Sequence, residues 1–189
     1  GNANKIMNRL LFDGFDTFGL QISEIDGGGL RNAIPRESTA KIIIAAMYQE
    51  AFVFDMQQLV KEIKNEFKTT EPNLEVLFEK IDTVPAKVMP PIAQFYLVRA
   101  LYTAHNGVYS MSADFDNLVE TSNNVAKVRV GGGKLSIQCL TRSSVESSKF
   151  DLANALRSAF ELMGCQVEFS GSYPGWSPNS KSEILDILV

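Results

Sequence analysis

The chain has 189 residues, 45% hydrophobic and 21% charged, which is the balance of a folded globular protein with room for one large domain or two small ones. Its net charge of −4 and scattered lysines and arginines give no basic stripe with interleaved aromatics, which argues against a nucleic-acid partner. No apolar run approaches the roughly 20 residues that span a bilayer and the start shows no signal-peptide pattern, so a soluble, cytoplasmic chain with no membrane partner is expected.

Ile6, Met7, Leu10 and Leu11 recur at helical spacing, so the chain opens in an amphipathic helix predicted to reach about residue 12. Phe18, Leu20 and Ile22 alternate with polar neighbours, predicting a strand over 18–25 that stops at Gly27-Gly28-Gly29. A second strand is predicted over 39–47, and its apolar run Ile42-Ile43-Ile44-Ala45-Ala46 suits a central strand covered on both faces. Met56, Leu59, Val60, Ile63 and Phe67 share one face of a helix over 50–67. Lys61, Lys64 and Lys68, mixed with Glu62 and Glu66, form its solvated face. Residues 74–81 read as a strand.

The same order then returns. Residues 90–103 are helical, with Pro90 and Pro91 suited to the first turn and Ile92, Phe95, Tyr96 and Leu101 available for burial. Residues 118–130 and 134–140 make a hairpin around Gly131-Gly132-Gly133. Ser143-Ser144-Val145-Glu146 has the form of a capping box, ahead of a helix that buries Leu152, Leu156, Phe160 and Met163 and ends at Gly164. Val167 and Phe169 begin a last strand. A second capping box, Ser180-Lys181-Ser182-Glu183, launches Ile184, Leu185, Ile187, Leu188 and Val189 toward the end of the chain. Both ends therefore look cut from a longer protein. The two cysteines, Cys139 and Cys165, lack metal-ligand spacing and read as small buried hydrophobes in a reducing compartment.

Each half reads helix-strand-strand-helix-strand, with no repeat at the level of residues. The predicted fold is α+β: an antiparallel sheet with helices on one face, in two ferredoxin-like (βαββαβ-type) halves whose first strand is missing from this chain. The halves are placed at 1–83 and 84–172.

The most specific stretch is Gly27-Gly28-Gly29-Leu30-Arg31-Asn32-Ala33-Ile34-Pro35-Arg36-Glu37. It lacks the Gly-Lys-Ser/Thr ending of a phosphate loop and leads into a strand. Composition alone leaves it either a plain inter-strand loop or a ligand loop. With Gly1-Asn2-Ala3-Asn4-Lys5, Val119-Glu120-Thr121-Ser122-Asn123-Asn124 and Glu168-Phe169-Ser170-Gly171-Ser172-Tyr173-Pro174-Gly175-Trp176, in that order along nearly the whole chain, it resembles the lid, or dimerisation, domain of the aminoacyl-histidine dipeptidases. These belong to the aminoacylase and glutamate-carboxypeptidase superfamily of two-zinc peptidases.

The resemblance implies that this chain is a substrate-capping domain inserted in a zinc dipeptidase acting on dipeptides such as Xaa-His. Both zinc ions and the catalytic residues would lie in a catalytic domain outside this chain, and 173–189 would be the hinge and the first helix returning to it. Asn32 and Arg142 match family residues that hold the C-terminal carboxylate of the substrate; without the resemblance, Arg142 would read as a strand-end surface arginine. The expected partners are the dipeptide, the chain's own catalytic domain and a second copy in a homodimer. The sole histidine, His105, sits in a turn-like His105-Asn106-Gly107 stretch and matches no family motif. One histidine and dispersed carboxylates do not make a dinuclear zinc site, so no metal ligand is expected here and the chain alone should be inactive. The rival reading is a freestanding ferredoxin-like module for small-molecule binding or oligomerisation. An independent enzyme lacks any nucleophile and base.

Overall fold

The computed structural model describes residues 1–176; the capping box predicted at Ser180 and the helix after it lie outside the described residues. Asn2 caps helix α1 (Ala3–Phe18), its Oδ1 accepting the Lys5 N–H at 3.2 Å. At the other end Gly19, at φ 64°, donates to the carbonyls of Gly14 and Phe15. The helix thus runs past residue 12, and Phe18 closes it instead of opening a strand. Gly14 masks this continuation, because glycine is a poor helix former. Packing requires it: a Cβ there would stand 2.8 Å from Leu20 Cδ1 and 3.1 Å from Phe52 Cε2.

Next come β1 (Gln21–Gly27), β2 (Ser38–Ile43), a 3-10 turn at Ala46–Tyr48 and α2 (Gln49–Phe67). An irregular passage leads to α3 (Pro91–Thr103), β3 (Gly107–Met111), β4 (Val119–Gly131), β5 (Lys134–Ser143) and α4 (Glu146–Leu162). Among the described residues all strand pairs are antiparallel, in one five-stranded sheet. The long strand β4 is its spine. β5 follows one side of β4 for its whole length, turning through Gly132 and Gly133, both at positive φ as a two-residue hairpin loop needs. On the other side β1 pairs with Val128–Val130 and β3 with Val119–Asn123, end to end, and β2 lies outside β1.

The faces of the sheet differ sharply. Ile22, Ile25, Val125, Val128 and Val130 point into one core with Leu10, Met56, Ile63, Leu97, Val98 and Leu152 from α1–α4, so these helices cover a single face. This is the α+β arrangement expected. The open face is polar: Glu24 pairs with Lys41 at 2.7 Å and Asp26 with Arg129 at 2.9 Å.

Local expectations fail where tertiary contacts override pattern. The run Ile42–Ala46 is no central strand: only Ile42 and Ile43 lie in β2, which among the described residues pairs with β1 alone, and Ala45, Ala46 and Met47 are exposed. Residues 74–81 form no strand; Leu74 and Val76 touch the core while Leu77 and Ile81 point to solvent. The residues around Val167 and Phe169 form no strand either, although Cys165 and Val167 alternate inward. β3 escaped prediction because Val108, Tyr109 and Met111 are all exposed and its register with β4 is broken twice, so no period-two pattern survives.

In α3 the buried face is Gln94, Leu97, Val98, Ala100 and Leu101, whereas Ile92, Phe95 and Tyr96 are exposed. The buried glutamine explains the rotation. Its Oε1 accepts the Ile22 N–H at 2.8 Å and its Nε2 donates to the Leu20 carbonyl at 2.6 Å, so a polar residue occupies the inward stripe. The predicted capping box of α4 also dissolves. The N-cap is Val145; Ser143 Oγ accepts the Val145 N–H at 3.0 Å, and Glu146 binds Lys149 at 2.7 Å. The far end agrees with expectation: Gly164, at φ 89°, and Cys165 donate back to Glu161 and Phe160.

Candidate functional site

The glycine-rich loop is held at its root, its middle and its end. Gly28 N–H donates to the Glu37 carbonyl at 3.1 Å, closing the loop, and Ala3 N–H donates to Pro35 at 3.0 Å. Arg129 of β4 places one guanidinium nitrogen on the Gly27 carbonyl and the other on the Gly28 carbonyl. Further out, Asn124 Nδ2 donates to the Ala33 carbonyl at 2.8 Å. Asn32 therefore stands in an exposed turn directly beside an anchored carbonyl, and its own side chain has no hydrogen-bond partner among the described residues.

Behind this loop, asparagines complete the sheet where no strand does. Between the stretches of β4 paired to β1 and to β3, Val125 has no strand beside it on that edge. Its N–H donates to Asn106 Oδ1 at 2.9 Å, and its carbonyl lies 3.1 Å from Asn2 Nδ2 and 3.2 Å from Asn4 Nδ2. Asn2 also reaches Asn106 Oδ1 and Asn124 Oδ1. Lys5, from the same N-terminal stretch, places Nζ on the carbonyls of Leu101, Tyr102 and Ala104 at 2.6–2.9 Å, a cation at the carboxyl end of α3. Burial holds its pKa below the ordinary lysine value. Sequence reading noticed Asn2–Lys5 and 119–124 as motifs but missed this joint role. The density of asparagines in those motifs was the available signal, since a side-chain amide carries both donor and acceptor.

Arg142 stands near the end of β5, opposite Ser122. It is exposed, and no hydrogen bond or ion pair occupies its guanidinium among the described residues. Directly opposed residues share a face, so Arg142, Ser122, Leu140 and Asn124 all lie on the open, polar side of the sheet. The loop bearing Asn32 is tied to that side through Asn124. Arg142 also lines a cleft of about 890 Å³ between β5, α4 and the 165–176 segment. Arg31 lines the same cleft; Asn32 does not. Lys149, buried at the start of α4, closes one end by binding Ser172 Oγ and the Tyr173 carbonyl.

The sole histidine is engaged elsewhere. His105 Nε2 lies 2.9 Å from the Val108 carbonyl and its ring packs edge-on against Tyr109. Among the described residues no three His, Cys, Asp or Glu side chains converge as a metal site would require.

Both cysteines are free thiols. Burial pushes the Cys139 thiol up to about 11, against a smaller lowering by Asn123, and burial also raises Cys165. The unfolded chain ionises its thiols near pH 9 while folded Cys139 stays protonated. Stability should therefore decline between pH about 9 and 11, by up to about 1.4 kcal/mol per unit for this group, and be unaffected by it below pH 9. Urea titrations of wild type and Cys139→Ala across that range check this: only wild type should show this component of the slope.

Residues 1–73 match the Peptidase dimerisation domain. That match takes in less than half of the chain. The chain is 33% identical over 188 residues to the cytosol non-specific dipeptidase of Escherichia coli, covering 100% of the chain and 39% of that protein. The fold superposes on the crystal structure of aminoacylhistidine dipeptidase from Vibrio alginolyticus with a TM-score of 0.94 and 36% identity, over 99% of this chain and 38% of that one. The chain thus spans well under half the length of these dipeptidases, and its α+β fold is the one found in the Vibrio enzyme. Among the described residues no helix is long and apolar enough to cross a membrane.

Proposed function

We propose that this chain is the substrate-capping and dimerisation part of a cytosolic two-zinc dipeptidase, with Asn32 and Arg142 gripping the free carboxylate of the dipeptide. The observation that carries this is the pairing of two unengaged polar side chains near one open face of the sheet: Arg142 on β5, and Asn32 on a loop anchored there by Asn124. A guanidinium gives a carboxylate two parallel charge-assisted bonds, and an amide N–H adds a third in a fixed direction. The grip also sets length, because a longer peptide presents no carboxylate at that distance from the scissile bond.

The zinc ions and their hydrolytic chemistry belong to the catalytic domain, which this chain does not contain. Capping would exclude water and assemble the site when the domain closes over substrate. A second copy of the chain is the dimer partner this reading implies. The test uses the full-length enzyme and one dipeptide offered either free or as its C-terminal amide. The amide should be cleaved with kcat/KM on the order of a hundredfold lower, since about 3 kcal/mol of carboxylate binding is forfeited. Equal rates for both would remove the carboxylate grip from the reading.

A further inference from the structure

We infer that Asn124, supported by Arg129, is a positioning residue for Asn32: strand β4 acts as a ruler that fixes the separation of the two carboxylate grips. The inference rests on the carboxylate reading above and adds to it the part that sets specificity. Arg142 is placed by the β4–β5 register, directly opposite Ser122. Asn124 lies two residues further along the same face of β4, opposite Leu140, and so is a diagonal neighbour of Arg142, at about 7–8 Å between backbones.

From there the Asn124 amide reaches across to the carbonyl of Ala33, the residue following Asn32. Its Oδ1 is held in turn by Asn2, the cap of α1, so the amide cannot rotate without losing that partner. Five residues along the strand, Arg129 spans the adjacent carbonyls of Gly27 and Gly28 with the two arms of one guanidinium and carries an ion pair to Asp26. Lysine has no fork with which to hold two neighbouring carbonyls.

One strand therefore places Arg142 through its register and Asn32 through two side chains. Neither Asn124 nor Arg129 needs to touch the substrate. A grip of two residues works only when both are held on the order of 0.5 Å from their productive positions, and residues from the loop alone cannot supply that.

The test is a double-mutant cycle in the full-length enzyme, reading kcat and KM for a dipeptide and for its C-terminal amide. Asn124→Ala should lower dipeptide kcat/KM about tenfold, mainly through KM, and leave the amide within about twofold. Combined with Asn32→Ala it should cost nothing beyond Asn32→Ala alone. Arg129→Lys, a half-exposed change that does not threaten folding, should behave the same way with a smaller loss. Fully additive losses, or equal losses on the amide, would overturn the positioning role while leaving Asn32 as a grip. A silent Asn32→Ala would overturn both this inference and the carboxylate reading for Asn32.

Discussion

Gly28→Ala is expected to cost about 4 kcal/mol or more of stability, enough to leave much of a marginal domain unfolded, whereas Gly29→Ala should lie within about 0.5 kcal/mol of wild type. The two residues are neighbours in one glycine run but differ in backbone conformation and in surroundings. A Cβ on Gly28 would stand 1.9 Å from the Ala126 carbonyl oxygen, and that oxygen belongs to the backbone of β4, which cannot swing aside. Gly28 also sits at φ 77°, a region that costs an ordinary residue about 1–2 kcal/mol. Gly29 has no positive φ and nothing within 4 Å. Gly27 is intermediate in kind: its Cβ would meet Asn4 Oδ1 at 1.8 Å and Ser38 Oγ at 2.7 Å, which are side-chain atoms, but Asn4 is buried and bonded to Val125. Thermal melts of the three alanine variants should rank Gly28 below Gly27 and Gly27 below Gly29. A Gly28→Ala protein melting with wild type would mean that the loop does not press on β4 as described.

That ranking marks the limit of what the sequence discloses. Three glycines before Leu30 announce a bend, but not which of them is forced and which is spare, because the deciding atom belongs to Ala126, far along the chain. The elements legible in advance were those whose burial follows one period: α2 with Met56, Val60 and Ile63 inward, α4 with Leu152, Leu156 and Phe160, and the β4–β5 hairpin with its glycine turn. The pattern misled where a distant contact set the choice of residue. Gln94 reaching to β1 rotated the predicted face of α3, and Gly14 making room for Leu20 shortened the predicted α1. The candidate site divides in the same way. Asn32 and Arg142 were picked out by resemblance, since each alone is an ordinary exposed residue. Asn124 and Arg129 were invisible as a pair, because their common target is a loop more than ninety residues earlier in the chain.

Arg142→Ala should reduce dipeptide kcat/KM of the full-length enzyme by about 3 kcal/mol, on the order of a hundredfold, without lowering its melting temperature. The second half of that statement comes from the structure. Arg142 is exposed, and no hydrogen bond or ion pair holds its guanidinium among the described residues, so its removal strands no buried group and opens no cavity. Most mutations that kill activity leave open whether the protein still folds; at this position the two effects separate. Arg142→Lys should recover part of the loss, since a point charge still attracts a carboxylate but offers no parallel pair of donors. Any tripeptide cleavage should barely change, because on the proposed reading a tripeptide's carboxylate does not reach this residue. A variant that loses dipeptides and tripeptides in equal proportion would place Arg142 at the reacting bond or at domain closure instead of at the chain end of the substrate. Unchanged dipeptide kinetics would return it to the status of a surface arginine on the free edge of β5.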